Sequence, residues 1–134
     1  MIKMIDKFRS TGLKLTHQRA SILEFLDSNT SHPTAHEVFE GVKMRSSTIS
    51  FATVYNTLET MRTNGMVNLL TIDSGRGRYD PYTKEHHHMY CKVCGSVSDV
   101  SNDFDLVLPE QESAGFEVES TQIEFRGICN SCKT

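Results

Sequence analysis

The four cysteines of this 134-residue chain form two Cys-x-x-Cys pairs, Cys91 with Cys94 and Cys129 with Cys132. Each pair can present two thiolates from one tight turn, and two pairs complete the tetrahedral four-sulfur shell that zinc prefers in structural sites. The spacing therefore predicts a structural zinc site. A redox dithiol and incidental buried cysteines are the alternatives.

Three consecutive histidines, residues 86–88, stand just before the first cysteine pair. Because alternate side chains of a strand share a face, His86 and His88 should point together while His87 points away. A His-x-His pair on one strand face is half of a metal site. The alternative is a solvated polar strand edge.

Three further residues could complete such a site. Asp80 and Asp99 supply carboxylates on either side of the histidines, and His32 lies in the joint before the segment HPTAHEVFE. A mixture of imidazole and carboxylate suits ferrous iron, manganese or zinc, and it does not suit copper(I), which prefers sulfur ligands.

Helical patterns occupy the first 65 residues. Thr16 can cap a first helix, Thr34 and Glu37 have capping-box spacing at the start of a second, and Ser50 can cap a third. Each helix has an apolar stripe that predicts its buried face. The stripes are Ile22, Leu23 and Leu26, then Ala35, Val38, Phe39 and Val42, and then Phe51, Val54, Leu58 and Met61, after which Asn64 and Gly65 end the third helix.

From Met66 the period changes to that of strands, and MVNLLTIDSGRGRYD predicts a hairpin around its Asp-Ser-Gly-Arg-Gly turn. Helices followed by a hairpin make a winged helix-turn-helix. The later segments HHHMYC, SVSDV and FEVESTQIEFRGIC predict strands, and any helix in DLVLPEQESAG should begin at Pro109 or kink there. We therefore predict an α+β chain with a winged-helix domain over residues 1–82 and an α/β domain over residues 83–134.

Composition and charge narrow the class of protein. A content of 37% hydrophobic and 23% charged residues is ordinary for a globular chain. The segment MIKMIDKFRSTGLK lacks the apolar core of a signal peptide, and no run is long enough to cross a bilayer, so we expect a cytoplasmic protein without a membrane partner.

Residues 1–82 hold 10 basic and 8 acidic side chains, and residues 83–134 hold 4 basic and 9 acidic side chains. The first part is therefore better suited to approach a phosphate backbone.

The segments HPTAHEVFE, SFATVYNTLETMRTNGMV, RYDPYTKEHHHMYCKVCG and RGICNSC, in this order and spacing, resemble the ferric uptake regulator family over nearly the whole chain. The resemblance implies a winged-helix DNA-binding domain, a dimerisation domain with structural Zn²⁺ on four cysteines, and a regulatory Fe²⁺ or Mn²⁺ site at the domain junction. Carried over by position, the regulatory ligands are His32, Asp80, His86, His88 and Asp99.

Two features favour the peroxide-sensing branch of the family. Both carboxylates, at positions 80 and 99, are aspartates, and Asn56 follows the tyrosine where iron-uptake regulators usually carry arginine. That branch implies a repressor in which bound ferrous iron reduces peroxide and the oxidant formed converts His32 or His86 to 2-oxo-histidine. The damaged ligand loses the metal and the dimer leaves DNA, whereas manganese in the same site does not react.

The chain also departs from the family pattern at two positions. Glu85 stands where the peroxide-sensing branch usually has aspartate, and Thr121 stands where many members have a histidine of an additional metal site.

The third helix should enter the major groove of an inverted-repeat operator bound by a homodimer. The expected DNA contacts are Ser50 and Thr53 with phosphates, Tyr55 and Asn56 with base edges, and Arg19, Arg76 and Arg78 with the backbone or minor groove.

Other functions fit less of the sequence. An iron- or zinc-responsive uptake regulator is the nearest alternative. A metal-dependent hydrolase is remote because no His-Glu-x-x-His motif is present, so we expect no enzymatic activity. A zinc-stapled interaction module leaves the regulatory ligands unexplained. We expect the other histidines, His17, His36 and His87, to lie on the surface.

Overall fold

The computed structural model describes residues 3–73 and 76–133, and the chain divides into two compact units, Met1–Thr83 and Lys84–Thr134. The first unit contains α1 (Met4–Arg9), α2 (His17–Leu26), α3 (Ala35–Val42), α4 (Phe51–Thr63), β1 (Asn68–Asp73) and β2 (Arg76–Asp80). The second contains β3 (His87–Cys91), β4 (Val97–Val100), α5 (Glu110–Ser113) and β5 (Glu124–Gly127). The predicted α+β class is confirmed.

Side-chain caps begin the three helices that the sequence predicted. Thr16 accepts a hydrogen bond from the Arg19 N–H at 3.1 Å, and Ser50 accepts one from the Thr53 N–H at 3.1 Å. Thr34 and Glu37 form a complete capping box, so two of the otherwise unpaired backbone donors of α3 are satisfied. The short helix α1 was not predicted from a pattern, because only Met4 and Phe8 of its six residues are buried.

One continuous apolar core fills the first unit. Val54, Leu58 and Met61 of α4 are fully buried in it, as predicted. Phe51 was also predicted to lie in this core, and that prediction is wrong, since the residue is 42% exposed. It stands at the first position of α4, where the helix extends past the core, and its ring meets Phe39 edge-on with 5.9 Å between centroids.

The predicted hairpin is formed by β1 and β2, which pair antiparallel with Leu69 opposite Tyr79. Its turn residues, 74 and 75, lie outside the described residues. Residues just before α3 also bond to this hairpin, because the Tyr79 N–H donates to the Pro33 carbonyl at 2.8 Å and Thr34 forms an isolated bridge with Arg78. These bonds fix the position of the joint that carries His32.

The second unit is a three-stranded sheet in the order β4-β3-β5, in which β3 pairs antiparallel with β4 and parallel with β5. Pro109 is the N-cap of α5, as its predicted helix-starting role required. The segment FEVESTQIEFRGIC was predicted to be strand-rich, but within it only Glu124–Gly127 is a strand. Within this unit's described residues only two apolar side chains, Cys91 and Val97, are buried.

Among residues 3–73 and 76–133, no helix combines the length and the apolar character needed to span a membrane.

The capping box of α3 yields a stability prediction. Replacing Thr34 with alanine removes the side-chain oxygen that accepts the Glu37 N–H at 3.1 Å, so we expect the free energy of unfolding to fall by about 1 kcal/mol. Urea denaturation followed by circular dichroism measures the change. The Thr34→Ser variant keeps the oxygen and should stay within about 0.5 kcal/mol of the parent. Equal losses in both variants would show that the cap does not cause the effect.

Candidate metal centres

Two backbone turns in the second unit hold the four cysteines. In the first, the Cys91 carbonyl accepts from the Gly95 N–H at 2.8 Å, and Gly95 has φ +76°, a conformation that glycine adopts without strain. In the second, the Cys129 carbonyl accepts from the Cys132 N–H at 3.0 Å. Parallel pairing places Cys91 opposite Gly127, so β3 and β5 bring the two turns together.

The four sulfur atoms are spaced for one tetrahedral metal ion. All of them lie within 4.8 Å of one another, and Cys94 Sγ is 3.8 Å from Cys129 Sγ. Zinc–sulfur bonds of about 2.3 Å at tetrahedral angles place neighbouring sulfur atoms about 3.8 Å apart. None of the chain's four cysteines is in a disulfide. The set therefore fits structural zinc in donor type, number and spacing.

Hydrogen bonds shift the pKa values of Cys91, Cys94 and Cys132 in different directions, so some of these thiols lose their proton to a metal more readily than others. The backbone N–H groups of Cys94 and Cys129 lower the pKa of the Cys91 thiol to about 6. The Ser96 hydroxyl, 3.2 Å from Cys94 Sγ, lowers the pKa of Cys94 as well. The pKa of Cys132 is raised to about 12, mainly because its thiol is hydrogen-bonded with Cys129 and secondly because it is partly removed from water. Zinc binding near neutral pH must therefore displace a proton from Cys132.

A second cluster in the same unit contains His86, His88 and Asp99. Strand pairing puts His88 directly opposite Asp99, and Asp99 Oδ1 lies 3.1 Å from His86 Nε2 and 3.4 Å from His88 Nε2. The two imidazole rings are 4.5 Å apart between centroids. The predicted sharing of one strand face by the two histidines is thus observed, and a carboxylate faces both.

Neighbouring groups orient both rings. His86 Nδ1 lies 2.7 Å from the Lys84 carbonyl, and this contact turns the ring so that Nε2 faces Asp99. The side-chain amide of Gln122 lies 3.5 Å from His88 Nδ1. Sequence reasoning missed Gln122, because no local pattern shows that the residues before β5 run alongside β3.

His87 has a different role from its two neighbours. The expectation that it lies on the surface is wrong, since it is only 6% exposed. Its Nδ1 accepts the Ile123 N–H at 3.0 Å, and its ring packs edge-on against Phe104 with 5.3 Å between centroids. His87 thus joins the sheet to the segment before β5. His17 and His36 are exposed, as expected.

The first unit holds the remaining pair of predicted ligands, His32 and Asp80. Both are 1% exposed, and His32 Nε2 lies 3.6 Å from Asp80 Oδ2, while Asp80 Oδ1 accepts the Tyr82 N–H at 3.0 Å. His32 has φ +54°, a left-handed conformation that costs a non-glycine residue about 1–2 kcal/mol. The Arg78 guanidinium donates to the His32 carbonyl at 3.1 Å and holds this conformation.

The predicted DNA-contacting residues fall into two groups, those at the surface of the first unit and those engaged in contacts within it. Tyr55 and Asn56 are exposed on α4, and Ser50 and Thr53 stand at its beginning, where their hydroxyl oxygens are 3.0 Å apart. Arg76 is exposed on β2 and lines a cavity of about 600 Å³ together with Tyr55. These five residues lie on the outer surface of the first unit.

The other two predicted DNA contacts are engaged within the unit. Arg78 is 8% exposed and its guanidinium bonds to the His32 carbonyl, so little of it is open to DNA and its contact with DNA stays a prediction. The Arg19 guanidinium donates to the Lys14 carbonyl at 2.8 Å and lies 5.6 Å from the centre of the Phe8 ring. Arg19 is half-buried, and it could reach a phosphate only with the part of its guanidinium that these contacts leave open.

Comparison with known proteins gives concordant results. Residues 10–126 match the model of the ferric uptake regulator family. The peroxide operon regulator of Bacillus subtilis is 34% identical over 131 residues, covering 96% of this chain and 90% of that protein. The peroxide-responsive repressor of Staphylococcus epidermidis is also 34% identical over 131 residues, covering 96% and 87%. A ferric uptake regulator from Francisella tularensis, solved with iron, is 27% identical with a TM-score of 0.73, covering 90% of this chain and 95% of that one.

Replacing Cys132 with serine removes one of the four sulfur donors. We expect zinc affinity to fall by more than about 100-fold, which is the upper end of what losing an outer-shell partner costs a metal site. Competition with a chromophoric chelator measures the affinity. Hydrogen exchange should quicken in β3, β4 and β5, whereas the amides of α2, α3 and α4 should keep their protection, because the first unit has its own core.

The matched control is Val93→Ser, which alters an exposed side chain inside the first Cys-x-x-Cys turn and leaves every sulfur in place. It should retain one zinc ion per chain. If Cys132→Ser also retains zinc with parental affinity, the four-cysteine site is refuted.

Proposed function

The chain belongs to the ferric uptake regulator family, and we propose from this premise that it is a metal-dependent, DNA-binding transcriptional repressor that responds to peroxide. The observation that carries the proposal is the meeting of His86, His88 and Asp99 around one point in the second unit, with oriented imidazoles and no sulfur. The Bacillus relative is named a peroxide operon regulator and the Staphylococcus relative a peroxide-responsive repressor, which supports this branch.

We assign the regulatory metal to five ligands, three from the second unit and the pair His32 and Asp80 from the first. The donor chemistry supports ferrous iron or manganese, because the set contains only imidazole nitrogen and carboxylate oxygen. Ferrous iron held there would activate peroxide, so that one peroxide oxygen would be added to a ligand imidazole and the other would leave as water. The protein's part is to hold each ring with its Nε2 directed inward, as the Lys84 carbonyl does for His86.

In this proposal the two units have separate roles. Residues 1–82 read DNA through the outer face of α4 and the β1–β2 wing, and residues 83–134 form the homodimer. Ligands drawn from both units make the affinity for DNA depend on the metal, and by linkage the affinity for metal depends on DNA to the same extent. A symmetric dimer would bind an inverted-repeat operator. We place this activity in the cytoplasm, where DNA is accessible.

The alternatives predict different responses to peroxide. A metal-uptake regulator would also bind DNA when metal is present, but its ligands would survive peroxide. A hydrolase would turn over a substrate. We favour a regulator without enzymatic activity, because the relatives carry names of regulators and because Tyr55 and Asn56 are exposed on α4, where they can read bases.

Exposed apolar side chains support dimerisation through the second unit. Leu106, Val107 and Leu108 are consecutive and are 60%, 81% and 45% exposed, and Phe116 is 70% exposed. A contiguous run of such residues is costly in a protein that remains a monomer. Residues 116–123, which the sequence predicted as strand, also remain outside the three-stranded sheet. Pairing with a second copy would cover both features.

Peroxide treatment of the metal-loaded protein tests the sensing reaction. With ferrous iron we expect His32 or His86 to gain one oxygen atom and DNA binding to be lost; with manganese we expect neither change. Peptide mass spectrometry locates the oxygen and gel mobility measures binding. Fragment ions must separate His86 from Met89, because Met89 is 48% exposed and methionine also takes up oxygen.

His87 is the internal control for this experiment. It is adjacent to His86 in sequence, but its Nδ1 is occupied by the Ile123 N–H and its ring by Phe104, so it should remain unmodified. Unmodified His32 and His86 in protein with demonstrably bound iron would favour the metal-uptake alternative. Equal oxidation of all three would indicate damage without site specificity.

The dimer is tested by placing a charge in the exposed apolar segment. Val107→Glu would bring two carboxylates into a symmetric interface, and like charges there cost several kcal/mol, so we expect the dimer dissociation constant to rise at least about 100-fold. Analytical ultracentrifugation measures it. Met44→Glu is the control, since Met44 is 86% exposed but lies in the first unit. A Val107→Glu protein that dimerises as tightly as the control would contradict this interface.

A further inference from the structure

Phe51 is an exposed aromatic residue that belongs neither to the hydrophobic core nor to a metal site. It is 42% exposed at the first position of α4, where the apolar stripe of the helix had predicted burial. Leaving a phenylalanine ring partly in water forgoes free energy that burial would provide. This exposure suggests that the ring is covered in a complex.

The surroundings of Phe51 point to DNA as the partner. Its ring stacks on Tyr55, with centroids 6.4 Å apart and planes 29° apart, and Tyr55 is itself 46% exposed. Asn56 is exposed beside Tyr55, and the first turn of α4 contains no acidic residue. The first residues of a recognition helix are those that reach base edges in the major groove.

The side-chain chemistry selects one feature of the groove. Phenylalanine has no hydrogen-bonding group, so it cannot read the donors and acceptors of a base. The major groove offers one apolar group that distinguishes bases, the C5-methyl of thymine, and apolar side chains contact it. We propose that Phe51 is a specificity-determining residue that contacts a thymine methyl in each half-site of the operator. This assignment rests on the proposed function.

Packing within the first unit holds the ring in place for this contact. Phe39 meets it edge-on at 5.9 Å, and the His36 ring lies 5.9 Å away at 52°. Both neighbours belong to α3, so a second helix supports the ring while 42% of the residue stays exposed. A supported ring loses little conformational freedom on binding, which favours affinity.

The test removes the methyl group and nothing else. An operator is first selected from randomised duplexes with manganese-loaded wild-type protein, and each thymine of a half-site is then replaced in turn by deoxyuridine. Fluorescence anisotropy gives the dissociation constants of the wild type and of the Phe51→Ala and Phe51→Leu variants. Losing one buried methyl should weaken wild-type binding about fourfold, equivalent to about 0.8 kcal/mol, and replacement in both half-sites should weaken it about 15-fold.

The expected result is specific to one position. Phe51→Ala should bind the thymine duplex more weakly and lose its response to deoxyuridine at that position alone, while other thymines keep theirs. Phe51→Leu keeps an apolar contact with Phe39 and so covers the case in which the alanine variant folds poorly. Met44→Ala is the control, because Met44 is an apolar residue of the first unit that is 86% exposed and lies outside α4, so this variant should keep the wild-type response at every thymine.

Two other outcomes distinguish failure of the Phe51 contact from failure of the proposed function. If the wild type binds the duplex but its response to deoxyuridine is the same in the Phe51 variants at every position, Phe51 only packs α3 against α4 and the inference is wrong. If no duplex is selected by the metal-loaded protein, the proposed function itself fails.

Discussion

The stability of the second unit depends on a cluster of four sulfur atoms, because the unit has almost no hydrophobic core of its own. The continuous core of the molecule consists of residues from Met4 to Tyr79, all in the first unit. In the described part of the second unit only Cys91 and Val97 are buried apolar residues, and most of its large apolar side chains are exposed. About fifty residues bury too little surface to fold securely alone. A zinc ion on four thiolates supplies folding free energy directly, of about 10–16 kcal/mol in small zinc domains.

This dependence connects the two kinds of metal ligand. Strand β3 carries His88 near its beginning and Cys91 at its end, and the first cysteine turn leads directly into β4, which carries Asp99. The turn closed by Cys91 and Gly95 therefore sets which residue of β4 stands opposite His88. A slip of one residue would move Asp99 to the other face of the sheet. The first cysteine turn thus fixes the register on which the histidine and aspartate cluster depends, although neither cysteine of this turn belongs to that cluster.

The sequence predicted best what depends on local chemistry. The three caps and the capping box are interactions within four residues, so Thr16, Thr34 and Ser50 could be read directly from their spacing. The degree of burial of three side chains was not foreseen, because segments distant in sequence determine it. Phe51 fits the apolar stripe of α4, but the core ends before its position; Arg78 is a basic wing residue, but the His32 carbonyl draws it inward. His87 alternates with its neighbours as expected, yet Ile123 and Phe104 cover the face that it occupies.

The contacts of His32 allow its ring to be oxidised without unfolding the protein. Its left-handed backbone is held by the Arg78 guanidinium on its own carbonyl and by the Tyr79 N–H on the carbonyl of Pro33, and neither bond involves the imidazole ring. Oxidation of the ring would therefore remove a metal ligand while leaving these backbone contacts intact. The four thiolates of the second unit would still hold its strands. In the proposed repressor, peroxide then shifts one equilibrium, the binding of the regulatory metal, in a protein that remains folded. A signal of this kind acts through the differential affinity of the metal-bound and metal-free states for DNA and does not require loss of structure.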